Sequence, residues 1–179
     1  MQVLVFAALS AKWKEPPRDA LDTLVLNAAD LTVCDLYTQQ EFVPFDPSTK
    51  RTEATVTGPD GVTFKVTKGA PQVILALCCP ENYDQVAVSV KSKVNEFGVR
   101  GIRSLAVART NDAGDFEFAG ILTFLDPPRP DSKATIAAAR QCGVDVKMIT
   151  GDQVLLLFQV IHSRGWRICD TVMHNFVHT

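Results

Sequence analysis

Two runs in which apolar and polar residues alternate, Lys50 to Thr57 and Val62 to Thr67, stand either side of Gly58-Pro59-Asp60-Gly61. Alternation with period two is the pattern of a strand with one buried face, and both runs are rich in Val and Thr. Glycine, proline and aspartate between them supply turn conformations, so the stretch predicts an antiparallel β-hairpin. A second hairpin is predicted over Ile102 to Ala108 and Asp115 to Thr123, joined by Asn111-Asp112-Ala113-Gly114.

Helical patterns surround these strands. Val3 to Ala11 and Asp19 to Ala29 read as two helices separated by Pro16-Pro17, the second with Ala20, Leu21, Leu24, Val25 and Ala28 as its apolar stripe. Pro71 to Cys78 and Glu81 to Phe97 read as two more, the longer carrying Val86, Val90 and Val94 four apart and Gly98 as its stop. The expected fold class is therefore α+β, an antiparallel sheet flanked by helices.

Asp126-Pro127-Pro128-Arg129-Pro130 is the clearest boundary, because three prolines in four positions cannot continue a strand ladder and make a stiff, extended connector. Beyond it, Asp131 or Ser132 can cap a helix running to about Cys142, and Gly143 can end it. Val144 to Ile149 then reads as a short strand delivering Thr150-Gly151-Asp152 at its carboxyl end. That is an α/β pattern, in which ligands bind where strands end. The expected domains are 1–125, a partial α/β segment over 126–153, and a tail of unknown structure over 154–179.

With 179 residues, 46% of them hydrophobic, the chain has enough apolar material for a real core. A formal charge of −2 gives no basic field for nucleic acid and no polybasic patch for an anionic membrane. No apolar stretch reaches the length of about 18 residues that a membrane-spanning helix needs. Five scattered cysteines without a C-x-x-C pair point to reduced thiols and a cytosolic setting. Cys169, His174 and His178 have a zinc-like spacing, but no fourth ligand accompanies them, and the expectation is no metal site.

Phe45, Lys50 and Lys68 fall around the first hairpin, where an aromatic face accepts a flat base and ammonium groups meet phosphate oxygens. The plainer alternative makes Phe45 a core residue and both lysines solvated edge-strand residues. The segments VPFDPSTKRT, KGAP, GIRSLAVAR, DPPRPDS and VKMITGDQ occur in the order and approximate spacing of the P-type ATPases. Over Val3 to Gln153 the chain most resembles the plasma-membrane proton pumps of that family.

The resemblance implies a nucleotide-binding domain followed by the start of a HAD-like phosphorylation domain, with ATP as ligand and Mg²⁺ serving the full-length family. It implies that Phe45 stacks on adenine, that Lys50, Lys68 and Gly69 lie beside the nucleotide, and that Arg103 reaches toward the phosphates. Asp19 is the nearest match to an acidic residue at the adenine pocket, and it also suits a helix N-terminus. Thr150, Gly151 and Asp152 match a phosphate-facing loop, while Asp126 and Arg129 match an interdomain hinge. The implied location is a cytosolic domain of a plasma-membrane protein.

The family's D-K-T-G-T, G-D-G-x-N-D and T-G-E-S motifs do not occur in the 179 residues. The chain alone is therefore expected neither to form an aspartyl phosphate nor to move an ion. After Gln153 the resemblance stops abruptly, the mark expected of a frameshift or truncation. One competing expectation is a non-binding remnant or interaction protein. Another is a free-standing phosphatase, which would need a D-x-D or D-x-T pattern at the end of a first parallel strand, whereas Asp30-Leu31-Thr32 follows a helical pattern instead.

Overall fold

The structure, a computed structural model, describes residues 2–16, 19–78, 83–125 and 129–146. The chain divides into two compact units, Met1–Val94 with Ser104–Thr123, and Asn95–Arg103 with Phe124–Thr179. Among the described residues it forms six helices and one five-stranded sheet. They follow one another as α1 (Gln2–Leu9), α2 (Ala20–Ala28), α3 (Leu31–Cys34), β1 (Thr38–Asp46), β2 (Arg51–Thr57), β3 (Thr63–Gly69), α4 (Pro71–Leu77), α5 (Tyr83–Val99), β4 (Arg103–Thr110), β5 (Phe116–Phe124) and α6 (Ser132–Gln141).

The strands lie in the order β1-β2-β3-β4-β5, and the pairs from β1 to β4 are antiparallel. The fold class is thus the α+β class expected, with an antiparallel sheet flanked by helices. Both anticipated hairpins are present. Gly61 (φ 81°) turns the first, where Gly58 N–H donates to the Val62 carbonyl at 2.8 Å. Gly114 (φ 90°) turns the second, helped by Asn111 Oδ1 accepting from the N–H of Ala113 and of Asp115. β1 extends the first hairpin by one strand that the sequence pattern does not announce.

Register decides what each face carries. Thr52, Ala54 and Val56 of β2 are buried and alternate with half-buried neighbours. They stand opposite Lys68, Val66 and Phe64 of β3, and opposite residues of two antiparallel strands share a face. That face meets the N-terminal helices: Phe6 of α1 packs edge-on to Phe64 at 6.2 Å, and Phe64 edge-on to Tyr37 at 6.1 Å. From Phe6 to Ala11 the chain is buried without interruption. A helix apolar all round belongs inside a domain, which is where the Ala- and Leu-rich first helix goes.

The opposite face of β4 carries Ala106 and Ala108, against which Ile74 of α4 is packed. Leu75, Ala87 and Val90 form a second cluster with Val86, Val94, Phe118 and Ile121 around them, so the valine stripe of α5 is its buried face. Two expectations about helices are corrected. In α2 the buried positions are Asp22, Val25 and Leu26, while Ala20 and Leu24 are exposed, so the buried stripe contains a carboxylate that an apolar count passes over.

In the second unit, Gly98 lies inside α5, and Gly101 (φ 72°) ends the helix instead. Gly101 N–H bonds to Gly98 O and Ile102 N–H to Phe97 O, the paired bonds of a left-handed glycine stop. Gly143 (φ 75°) ends α6 in the same way, as expected. Residues 144–146 form no strand, and 147–149, Asp126 and the 154–179 tail with its Cys-His spacing lie outside the described residues. Cys34, Cys78 and Cys142 are free thiols, and burial, followed by Asp35 and Asp30, raises Cys34 to about 11.

Candidate functional site

The site is built on the connection between β1 and β2. Asp46 accepts at Oδ1 from the Ser48 N–H and the Ser48 hydroxyl, both at 2.7 Å. These bonds, the hydroxyl first, hold the Asp46 carboxyl below its usual range. Its carbonyl accepts from Lys50 N–H, also at 2.7 Å, which closes a tight loop. Closure places Lys50 at φ 52°, the one left-handed non-glycine among the described residues. Both ends of the loop are open to solvent, with Phe45 56% exposed and Lys50 exposed.

Gly69, at the end of β3, sits directly under this loop. A Cβ there would lie 2.5 Å from the Lys50 carbonyl oxygen and 2.8 Å from Arg51 Cα. Only glycine admits so close a backbone, and the neighbouring Ala70 N–H donates to the same Lys50 carbonyl at 3.1 Å. The approach that Gly69 permits is therefore that of the chain's own Lys50–Arg51 backbone.

Lys68 is placed differently from Lys50. It lies on a central strand and is 4% exposed, so it is not the solvated edge lysine of the plainer alternative. Its ammonium stands 2.8 Å from Asp22 Oδ1. It donates to the Ser10 carbonyl at 3.0 Å, to the Ser10 hydroxyl at 3.3 Å and to the Thr52 hydroxyl at 3.3 Å. Thr52 in turn donates to the Ser10 carbonyl at 3.1 Å. Burial pushes Lys68 below its ordinary value, and the negative charges of Asp22 and then Asp19 pull it back.

Asp19 is exposed and caps α2, its Oδ1 accepting from Asp22 N–H at 2.7 Å. One chain of contacts thus runs from Asp19 through Asp22 to Lys68 and Thr52, two residues from Lys50. Phe45 immediately precedes Asp46, which pairs with Arg51, and it lies within the register shift between Val43 and Asp46. The structure gathers five of the nine expected residues in the first unit: Asp19, Phe45, Lys50, Lys68 and Gly69. Arg103, exposed at the start of β4, belongs to the second unit. Thr150, Gly151 and Asp152 lie outside the described residues.

Sequence reasoning missed Asp22, Ser10 and Thr52. Asp22 alone left a signal: it precedes Val25 and Leu26 by three and four residues and so shares their face. No helix among the described residues is long and apolar enough to cross a membrane, and no cluster of metal-ligating side chains occurs among them.

No family model matches the chain. Curated relatives do. Probable proton ATPase 1A of Leishmania donovani is 58% identical over 154 residues, covering 86% of this chain and 16% of its own length. The plasma membrane ATPase of Neurospora crassa is 37% identical over 162 residues, covering 85% and 17%. A putative cation-transporting ATPase of Methanocaldococcus jannaschii is 38% identical over 167 residues, covering 91% and 20%. The chain spans about a sixth to a fifth of these proteins' length. With identity at this level over nearly all of the chain, and with the fold expected from its motifs, it belongs to the P-type plasma-membrane proton ATPase family.

Proposed function

We propose that the first unit is an ATP-binding module of a proton-transporting ATPase. Adenine stacks on Phe45, Lys50 meets the phosphates, Lys68 and Gly69 form the floor, and Asp19 borders the base. The observation that carries this reading is Phe45, a large aromatic 56% exposed beside an exposed lysine on a tightly closed loop. A phenylalanine this exposed buries less than half of its surface in the fold, whereas base stacking is worth roughly 1–3 kcal/mol.

In the same reading Mg²⁺ accompanies the triphosphate, Arg103 and Thr150-Gly151-Asp152 approach its phosphates, and Asp126 and Arg129 belong to a hinge before a phosphorylation domain. The module lies on the cytosolic side of a plasma membrane. It binds ATP without hydrolysing it, because the motif carrying the phosphorylated aspartate does not occur in the 179 residues. Titration of the purified chain with ATP, followed by amide NMR signals, tests this. Saturable binding that vanishes in Phe45→Ala, with the melting temperature unchanged, is the expected result; equal binding by both proteins would overturn the reading.

A second reading, a scaffold that has kept the fold without the ligand, is favoured by one observation. The Lys68 ammonium already has Asp22, Ser10 and Thr52 as partners and needs no phosphate to satisfy it. Absence of ATP binding in a folded chain would select it.

A further inference from the structure

Of the partners of Lys68, Asp22 is the one that brings a charge. Asp22 is a carboxylate on the buried stripe of α2, where Val25 and Leu26 are its neighbours, and burying a charge there is unfavourable unless it does something. It touches Lys68, at 2.8 Å.

We infer that Asp22 is a positioning residue for the nucleotide site: it keeps the Lys68 ammonium charged and fixed in the floor beneath the Phe45–Lys50 loop. The inference rests on the ATP-binding reading and deepens it. Three elements converge on the ammonium, and only one of them brings charge. Ser10, just beyond α1, and Thr52 of β2 contribute neutral oxygens at 3.0–3.3 Å, and Val107 of β4 stands opposite Lys68. α2 contributes both acidic groups, Asp22 in direct contact and Asp19 acting at longer range.

Neutral oxygens can orient an ammonium, but they do not offset the loss of its hydration as a counter-charge does. Without Asp22, a 4% exposed lysine has two ways out. It releases its proton, or its side chain leaves the floor for solvent. Either way the site loses a fixed positive charge. Asp19, as the cap of α2, fixes the first turn that carries Asp22, so the helix start and the ion pair form one support.

The test is the ATP affinity of wild type, Asp22→Asn, Asp22→Glu and Lys68→Arg between pH 6.5 and about 10, with thermal melting of each as a folding control. Asp22→Asn should bind ATP about tenfold or more weakly, the scale of a lost charge-assisted contact. Its affinity should also fall away at lower pH than that of wild type. Asp22→Glu should restore part of both. Lys68→Arg, which stays charged throughout, should flatten the decline seen in wild type at high pH.

That last comparison stands even if Asp22→Asn fails to fold. A folded Asp22→Asn with wild-type affinity and pH profile would overturn the inference and leave the ATP reading intact. Tighter binding in Asp22→Asn would overturn it as well, since Asp22 would then be competing with the phosphates for the ammonium. A Lys68→Arg profile that declines like wild type would do the same. Wild type that does not bind ATP at all would bring down both the reading and the inference.

Discussion

The two faces of the sheet are both covered by helices through apolar packing, and one of them adds a buried ion pair between helix and strand. On the α4 and α5 side, Ile74, Ala106 and Ala108 form one apolar cluster and Leu75, Ala87 and Val90 another. On the α1 and α2 side an ammonium and a carboxylate also face each other at 2.8 Å. Apolar contact is non-directional and tolerates exchange of one hydrocarbon for another of similar volume. A buried ion pair tolerates replacement as a unit but not the loss of one member. Of the candidate residues, Asp19 and Lys68 lie on the side that holds this ion pair, while Gly69 pairs with Ala106 of the other face.

The largest expected effect breaks the pair. Lys68→Met leaves Asp22 buried without its counter-charge and should lower the unfolding free energy by about 3–5 kcal/mol in urea denaturation. Lys68→Met with Asp22→Leu should recover most of that loss, because two apolar side chains need no partner. The single variant is thus a stability probe as well as a binding probe, and only the double variant tests the charge in a folded protein. If the single and double variants are equally destabilised, the ion pair is not what joins this face.

The same pair gives a pH dependence. Lys68 folded lies below its unfolded value of 10.5, so between the two the unfolded chain holds the extra proton. Below that window the cost of burying the charge is present in full, and through it stability rises with pH. Wild type should therefore gain stability relative to the double variant as pH is raised toward 10.5, as compared by melting of the two proteins. A constant difference would show that Lys68 titrates alike folded and unfolded.

On the apolar face the expectation is smaller and of another kind. Ile74→Ala removes a fully buried side chain from between α4 and β4 and should cost about 2–4 kcal/mol. It should leave ATP affinity and the pH dependence of stability unchanged, since Ile74 packs with Ala106 and Ala108 on the face away from Lys68. A shift in either would mean that the two faces are coupled through the sheet.

Much of this contrast could be read from the sequence, but unevenly. The hairpins were legible because alternation and turn residues are local, and so was the valine face of α5. β1 was not, because Gln39, Gln40, Glu41 and Pro44 on an edge strand do not alternate as a half-buried strand does. The candidate loop was found through Phe45 and Lys50. The environment of Lys68 could not be, since its partners lie 58, 46 and 16 residues away, and no local pattern encodes a contact of that span. Asp22 was hidden by the assumption that a helix buries its most apolar stripe. α2 instead buries the stripe containing the one carboxylate that Lys68 requires.

Asp19 separates the two roles that its position allows, and it is expected to have the smallest effect on stability. As the cap of α2 it satisfies Asp22 N–H at 2.7 Å, so Asp19→Ala should cost about 1 kcal/mol in chemical denaturation. Asn caps a helix as well as Asp does, and Asp19→Asn should therefore keep that stability while removing the charge. ATP affinity measured in Asp19→Asn then isolates the second role. Weakened binding at unchanged stability is expected if the Asp19 charge contributes to the adenine side of the site and supports Lys68 from α2. Affinity equal to wild type would reduce Asp19 to the start of a helix, leaving Asp22 as the only acidic group through which the ionic face serves the ligand.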